Sequence, residues 1–321
     1  MHSPGVDLIH VWSRCHACGT APILGMRFEC QTCPTGPDSD LCQACYLLLE
    51  QGQIKHPPPE AREAPRGPHL FRPFEGARRE RLQHWLAVPA SAATPPKVPD
   101  RFVVRPEFRS GRESFFGSYA FIVVAEDGRD PLLLTALHIL DELARFRGID
   151  CSDNNAAYTG RELPPHVTSV QLYDPFAPNW MLAELGTARG MLPIPHARIG
   201  AVEPYSQGDI AAFRLAPFAP FLPSPLALTN PVVGEPIWLA VNPGPGIRNR
   251  TTQAVVVEIT DETFVFRFAP PAELPRYTSG APLLNRSGEV VGVNAGMGTL
   301  DNQKFGHGVH VASIRRHLGR Q

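Results

Sequence analysis

The 321-residue chain has almost no net charge: 30 Lys and Arg stand against 31 Asp and Glu, leaving −1 overall. That balance argues against a nucleic-acid binder or a protein drawn to an anionic membrane. An early apolar run is also missing. Met1 to His10 is interrupted by Pro4, Gly5 and Asp7, so neither a secretory leader nor a membrane span is read there, and a cytoplasmic setting is expected. Cysteine is nearly absent after residue 45, where Cys151 alone remains of the seven. A disulfide framework in the larger part of the chain is therefore not expected. Internal repeats are lacking, and 35 prolines with 27 glycines favour short strands and turns over long helices.

The other six cysteines form three Cys-x-x-Cys pairs, Cys15/Cys18, Cys30/Cys33 and Cys42/Cys45. Clustered pairs in a reducing compartment read as zinc ligands. Two tetrahedral ions need eight ligands, and His56 and His69 are the natural completion, with His10 or His16 as substitutes. The strings Pro22-Ile23-x-Gly25-x-Arg27 and Asp40-Leu41-Cys42 add to the spacing, and residues 1–70 resemble a ZZ-type zinc finger. The resemblance implies a cross-brace, with Cys15, Cys18, Cys42 and Cys45 on one structural zinc and Cys30, Cys33, His56 and His69 on the other. It also implies docking of a protein terminus or tail, for which Asp38 and Asp40 are the candidate acids, with bracing of the fold as the alternative role for Asp40. A module this small has little core, so metal binding would supply its folding energy.

Residues 71–100 read as a Pro-rich linker with a short basic helix between Glu75 and Val88. From Phe102 onward, strands are predicted at Phe115–Val124, Leu132–Ala136, Val167–Tyr173, Arg198–Val202, Ile210–Leu215, Pro236–Val241, Thr252–Thr260, Thr263–Phe268, Glu289–Asn294 and His307–Val311. A closing helix is predicted at Ser313–Leu318. Such spacing suits two packed antiparallel barrels.

Three polar residues border those strands in the order His138, Asp209, Ser279. His138 ends Thr135-Ala136-Leu137-His138, Asp209 heads an apolar strand, and Ser279 opens Ser279-Gly280-Ala281-Pro282. Serine needs a base within hydrogen-bond reach, and the base needs a carboxylate to fix its tautomer. Asp174 is the closest rival acid, whereas His166, His196, His307 and His310 read as structural or surface residues. On these motifs, residues 101–321 resemble a chymotrypsin-like (trypsin-fold) serine protease. The implied fold is mainly β, a double six-stranded antiparallel β-barrel preceded by the small zinc-binding domain.

The implied activity is peptide-bond hydrolysis by a Ser279-His138-Asp209 triad, with the backbone N–H groups of Tyr277 and Ser279 as the oxyanion hole. The family's spacing puts Glu273 at the base of the primary pocket, favouring Lys or Arg, and makes Asn294, Gly296 and Gly308 its walls. One departure stands out: Tyr277 occupies a position the family usually fills with glycine. Tyrosine resists the backbone conformation that turns the N–H into the hole. An inactive protease-like scaffold acting as a zinc-dependent adaptor is the alternative.

Overall fold

The computed structural model describes residues 8–30, 40–56, 69–74, 77–90, 92–99, 102–124, 130–149, 159–160, 162–175, 183–198, 208–216, 222–241, 251–270 and 277–319. Cys33, Asp38, Cys151, Glu273 and most of the predicted strand Arg198–Val202 fall outside them. The described residues divide into two compact units. One runs up to Ala87 and includes Met297–Phe305; the other comprises Val88–Gly296 and Gly306–Gln321.

In the first unit, β1 (Leu8–His10), β2 (Ile23–Leu24), β3 (Arg27–Cys30), β4 (Asp40–Cys42), helix α1 (Gln43–Glu50), β5 (Phe71–Phe74), β6 (Ala77–Arg78) and helix α2 (Arg79–Ala87) follow in order. They make two three-stranded sheets, β2-β1-β6 and β4-β3-β5. The stretch read as linker thus contributes two strands and α2 to this unit. Its small core is Cys15, Ile23, Leu41 and Cys45, flanked by Phe28 stacked on Tyr46 at 3.9 Å. A buried charge cluster ties the strands together: Arg27 donates to Ser13 Oγ at 3.0 Å and to Asp40 Oδ2 at 3.2 Å, with Glu29 at 3.6 Å. Asp40 is thereby a buried brace, not a displayed acid.

The second unit begins with β7 (Arg105–Ser110), β8 (Glu113–Phe116), β9 (Phe121–Val123) and β10 (Leu132–Thr135), then helix α3 (Asp141–Phe146). β11 (Thr159–Gly160), β12 (Ser169–Tyr173), β13 (Glu184–Met191), β14 (Ile194–Arg198) and β15 (Ala211–Leu215) complete its first half. Among the described residues these make a seven-stranded antiparallel sheet, β8-β7-β12-β13-β15-β10-β9, and a separate β11-β14 pair. The expected first barrel is therefore a curled half-barrel. The charged β7 reads poorly as a strand, yet its buried Glu107 is satisfied by Tyr173 Oη at 2.9 Å and Arg109 at 3.2 Å.

The expected second barrel closes. Its strands are β16 (Pro236–Ala240), β17 (Thr251–Ile259), β18 (Thr263–Phe268), β19 (Pro282–Leu284), β20 (Val290–Leu300) and β21 (Gln303–His310), in the order β16-β17-β18-β21-β20-β19. Helix α4 (Val311–Gly319) follows. Phe264, Phe266 and Phe268 pack in series at 5.4 Å between neighbours. Gly292 and Gly308 make room for Phe264, since a Cβ on either would crowd its ring. One buried apolar cluster joins Phe102, Phe108, Phe121, Leu133 and Phe213 of the half-barrel with Leu284, Val293 and Val309 of the barrel. The two halves thus share a core.

Candidate active site and metal clusters

β10 ends at Thr135, and a 3-10 turn, Leu137–Leu140, carries His138 out of the sheet because Leu137 and Leu140 turn inward. Asp209 follows Gly208, whose φ of 66° and accepted hydrogen bond from Ile210 N form a tight turn at the head of β15. The turns meet. Asp209 Oδ2 lies 2.7 Å from His138 Nδ1, and Asp209 Oδ1 accepts the His138 backbone N–H at 2.8 Å. The carboxylate is nearly sealed, with a side-chain exposure of 4%, while the imidazole stays 32% exposed. Burial lowers the pKa of His138, but the charge and hydrogen bond of Asp209, helped by Asp141, outweigh it and raise the pKa above its usual value. Asp209, and not Asp174, is the carboxylate that orients this ring.

Ser279 sits in a loop clamped to β20. Asn294 Nδ2 donates to Thr278 O at 3.0 Å and Oγ1 at 3.1 Å, Gly280 N donates to Asn294 O at 2.9 Å, and Asn294 N donates to Ala281 O at 2.9 Å. The loop also docks on the half-barrel, where Tyr119 N donates to Ser279 O at 3.2 Å. Gly280, with φ of 79°, permits that approach: a Cβ there would collide with Tyr119 O and Thr135 Oγ1. Thr135 lies three residues before His138, so the loop reaches the strand end that carries the imidazole. Ser279 Oγ makes a long 3.5 Å hydrogen bond to Ala295 O and, among the described residues, none to His138.

Tyr277 adopts the conformation expected to resist it. Its φ is 60°, and its side chain is largely in solvent. Left-handed backbone in a residue with a Cβ costs about 1–2 kcal/mol and recurs where function demands it. Of the expected pocket walls, Asn294 is fully buried as the loop clamp and Gly308 faces Val293 O and Phe264. Gly296 lies against His307, whose ring occupies the space a Cβ would need. Burial pushes His307 down to about 4, with Asp209 and His138 in its electrostatic field. His307, expected to be structural or at the surface, is a buried packing residue.

The cysteines gather in two clusters. Cys15, Cys18, Cys42 and Cys45 have all four sulfurs within 4.8 Å of one another, with Cys18 Sγ and Cys42 Sγ 3.9 Å apart. Ligands at about 2.3 Å around a tetrahedral zinc stand about 3.8 Å from each other, so this spacing fits the ion. Cys30, His56 and His69 form the second cluster, with Cys30 Sγ 3.4 Å from His69 Nδ1. A zinc–sulfur and a zinc–nitrogen bond would separate those atoms by about 3.5 Å. Burial, with His69 and His16 nearby, lowers the pKa of His56 to about 4 and keeps it in the neutral form that binds metal. Neither His10 nor His16 belongs to a cluster among the described residues.

Residues 120–293 match the trypsin-like peptidase domain family, more than half of the chain. The chain belongs to that family. Residues 9–56 match the ZZ-type zinc finger, so this trypsin-like peptidase chain carries such a finger ahead of its main domain. The auxin transport protein BIG of Oryza sativa subsp. japonica is 41% identical over 51 residues, which are 16% of this chain and 1% of the rice protein. Among solved structures, the active form of the Rv3671c protease of M. tuberculosis is similar at 18% identity and a TM-score of 0.39, covering 72% of this chain and 92% of its own. The serine endoprotease of Yersinia pestis is similar at 15% identity and 0.40, covering 70% and 67%.

Proposed function

We propose that the chain is a serine endopeptidase whose zinc finger recruits a protein substrate or regulator. The observation that carries this is the His138–Asp209 pair, held by two hydrogen bonds that one carboxylate accepts, beside a clamped loop that presents Ser279. With Nδ1 committed to Asp209, the imidazole keeps Nε2 for the serine hydroxyl. The reaction requires a side-chain rotation that takes Ser279 Oγ off Ala295 O and onto Nε2. His138 then takes the proton as Oγ attacks the carbonyl and returns it to the leaving amine, while Asp209 stays ionised. The backbone N–H groups of Tyr277 and Ser279 hold the oxyanion, supported by the left-handed backbone at Tyr277.

Two structural zinc ions complete the finger, one held by Cys15, Cys18, Cys42 and Cys45, the other by Cys30, His56, His69 and Cys33. A cytoplasmic setting accords with reduced thiols. Glu273 at the pocket base would favour Lys or Arg before the scissile bond. Casein or peptide-library cleavage by wild type, lost in Ser279→Ala, tests the assignment; equal cleavage by both proteins refutes it.

A second reading, an inactive protease-like adaptor, is favoured by the bond from Ser279 Oγ to Ala295 O. Labelling of Ser279 by a fluorophosphonate would count against it.

A further inference from the structure

The hairpin of β20 and β21 belongs to both units. Its inner stretch clamps the Ser279 loop: Asn294 holds Thr278 and Gly280, and Ala295 O receives Ser279 Oγ. Its tip, Met297–Phe305, is part of the unit that contains the metal clusters. Two residues, Gly296 and Met297, separate Ala295 from Gly298, and extended backbone over so short a span transmits a shift at one end to the other.

The tip is seated closely. Gly298 lies flush on Val11 O and the Trp12 ring, where any Cβ would collide. Leu300 and Phe305 are buried, Phe305 sits 5.7 Å from Trp85, and Trp85 sits 6.3 Å from Trp12. The seat is tied to strands that carry ligands of both clusters. Val11 and Trp12 precede Ser13, which is hydrogen-bonded through its N–H to His10 O and through its hydroxyl to Arg27. Cys15 of the four-cysteine cluster follows two residues later, and Arg27 opens the strand that ends at Cys30 of the other.

We infer that the turn at Val11–Trp12, tied through Ser13 and Arg27 to the strands that carry the metal clusters, is a regulatory seat for the β20–β21 tip, and that its integrity sets the register of the Ser279 loop. With the seat intact, Asn294 and Ala295 are held where they fix Thr278 and Ser279. With the seat lost, β20 is freed at its outer end and the nucleophile loop loosens. The inference rests on Ser279 being a reactive nucleophile, as proposed above.

The test is the rate at which a fluorophosphonate probe labels Ser279 in the full chain, read beside hydrogen exchange over residues 290–310. Three samples are compared: the zinc-loaded protein, the protein stripped by a chelator, and zinc-loaded Gly298→Ala. The last blocks the seat and touches neither a metal ligand nor the triad. Labelling should fall about ten- to a hundredfold in the second and third samples, the scale on which small misplacements act. Exchange at 290–310 should rise in both, while zinc content stays full in Gly298→Ala. Unchanged labelling and exchange in Gly298→Ala, with zinc retained, overturns the coupling. Loss of labelling after chelation but not in Gly298→Ala also overturns it, since metal would then act by another route. No labelling in any sample refutes the hydrolase reading instead.

Discussion

Alanine at Gly280 and alanine at Gly288 should differ sharply, although the two glycines share almost the same backbone, φ of 79° and 80°. Each substitution carries a left-handed penalty of about 1–2 kcal/mol. At Gly288 little is added, because the nearest atom to the new Cβ is Lys97 O at 3.4 Å. At Gly280 the Cβ would run into Tyr119 O and Thr135 Oγ1, which are themselves joined by a 2.6 Å hydrogen bond and cannot move apart freely. Overpacking of a rigid contact adds about 1–3 kcal/mol. Backing the loop away also breaks the bond from Tyr119 N to Ser279 O, worth about 1 kcal/mol. The expected loss is therefore about 3–6 kcal/mol for Gly280→Ala against about 1–2 for Gly288→Ala. Urea unfolding followed by far-UV circular dichroism measures both, and fluorophosphonate labelling of Ser279 should collapse only in Gly280→Ala. Equal destabilisation, with labelling intact in both, would refute the docking of this loop on the half-barrel.

Further outcomes concern the His138–Asp209 pair, His307 and the zinc ions. Labelling of Ser279 should climb with pH around a midpoint above 6.5, because the raised pKa of His138 keeps it protonated to higher pH. The stability contributed by the same pair has the opposite trend: fully present below 6.5, it is lost as pH rises through the folded pKa. Asp209→Asn should move the labelling midpoint down and slow labelling by about 10⁴, and a single-pH rate series with a pH profile checks both. Burial of His307, which lowers its pKa from 6.5 to about 4, leaves the unfolded chain binding more protons between those values, so stability should fall on acidification by up to about 3 kcal/mol; His307→Gln should flatten that slope in thermal melts taken across this range. Colorimetric zinc release should give two equivalents from wild type and one from Cys45→Ser.

Local features were the readable ones. Cys-x-x-Cys spacing, the Thr135-to-His138 string and the Ser279-Gly280-Ala281-Pro282 turn each depend on a few neighbouring residues, and their chemistry shows in the chain itself. Apolar β10, β15, β16 and β18 stand close to their predicted positions because buried strands declare themselves by run length. β7 and β13 escaped notice, since Arg105 and Glu107 in one and Gly186 and Gly190 in the other run against strand propensity. Partners far away in sequence rescue both: β12 pairs with each, and Tyr173 satisfies Glu107.

Sequence alone determined the chemistry on offer: paired thiols for metal, and a histidine, an aspartate and a serine beside buried strands. Tertiary structure decided which of these meet. It placed Asp209 on His138, turned Asp40 inward onto Arg27, gave Asn294 the task of clamping Thr278, and carried β20 past its predicted end to Leu300. The physical reason is range. Turn geometry and ligand type are set within a few residues, whereas close approach across the fold depends on the summed packing of segments that have no local trace of one another.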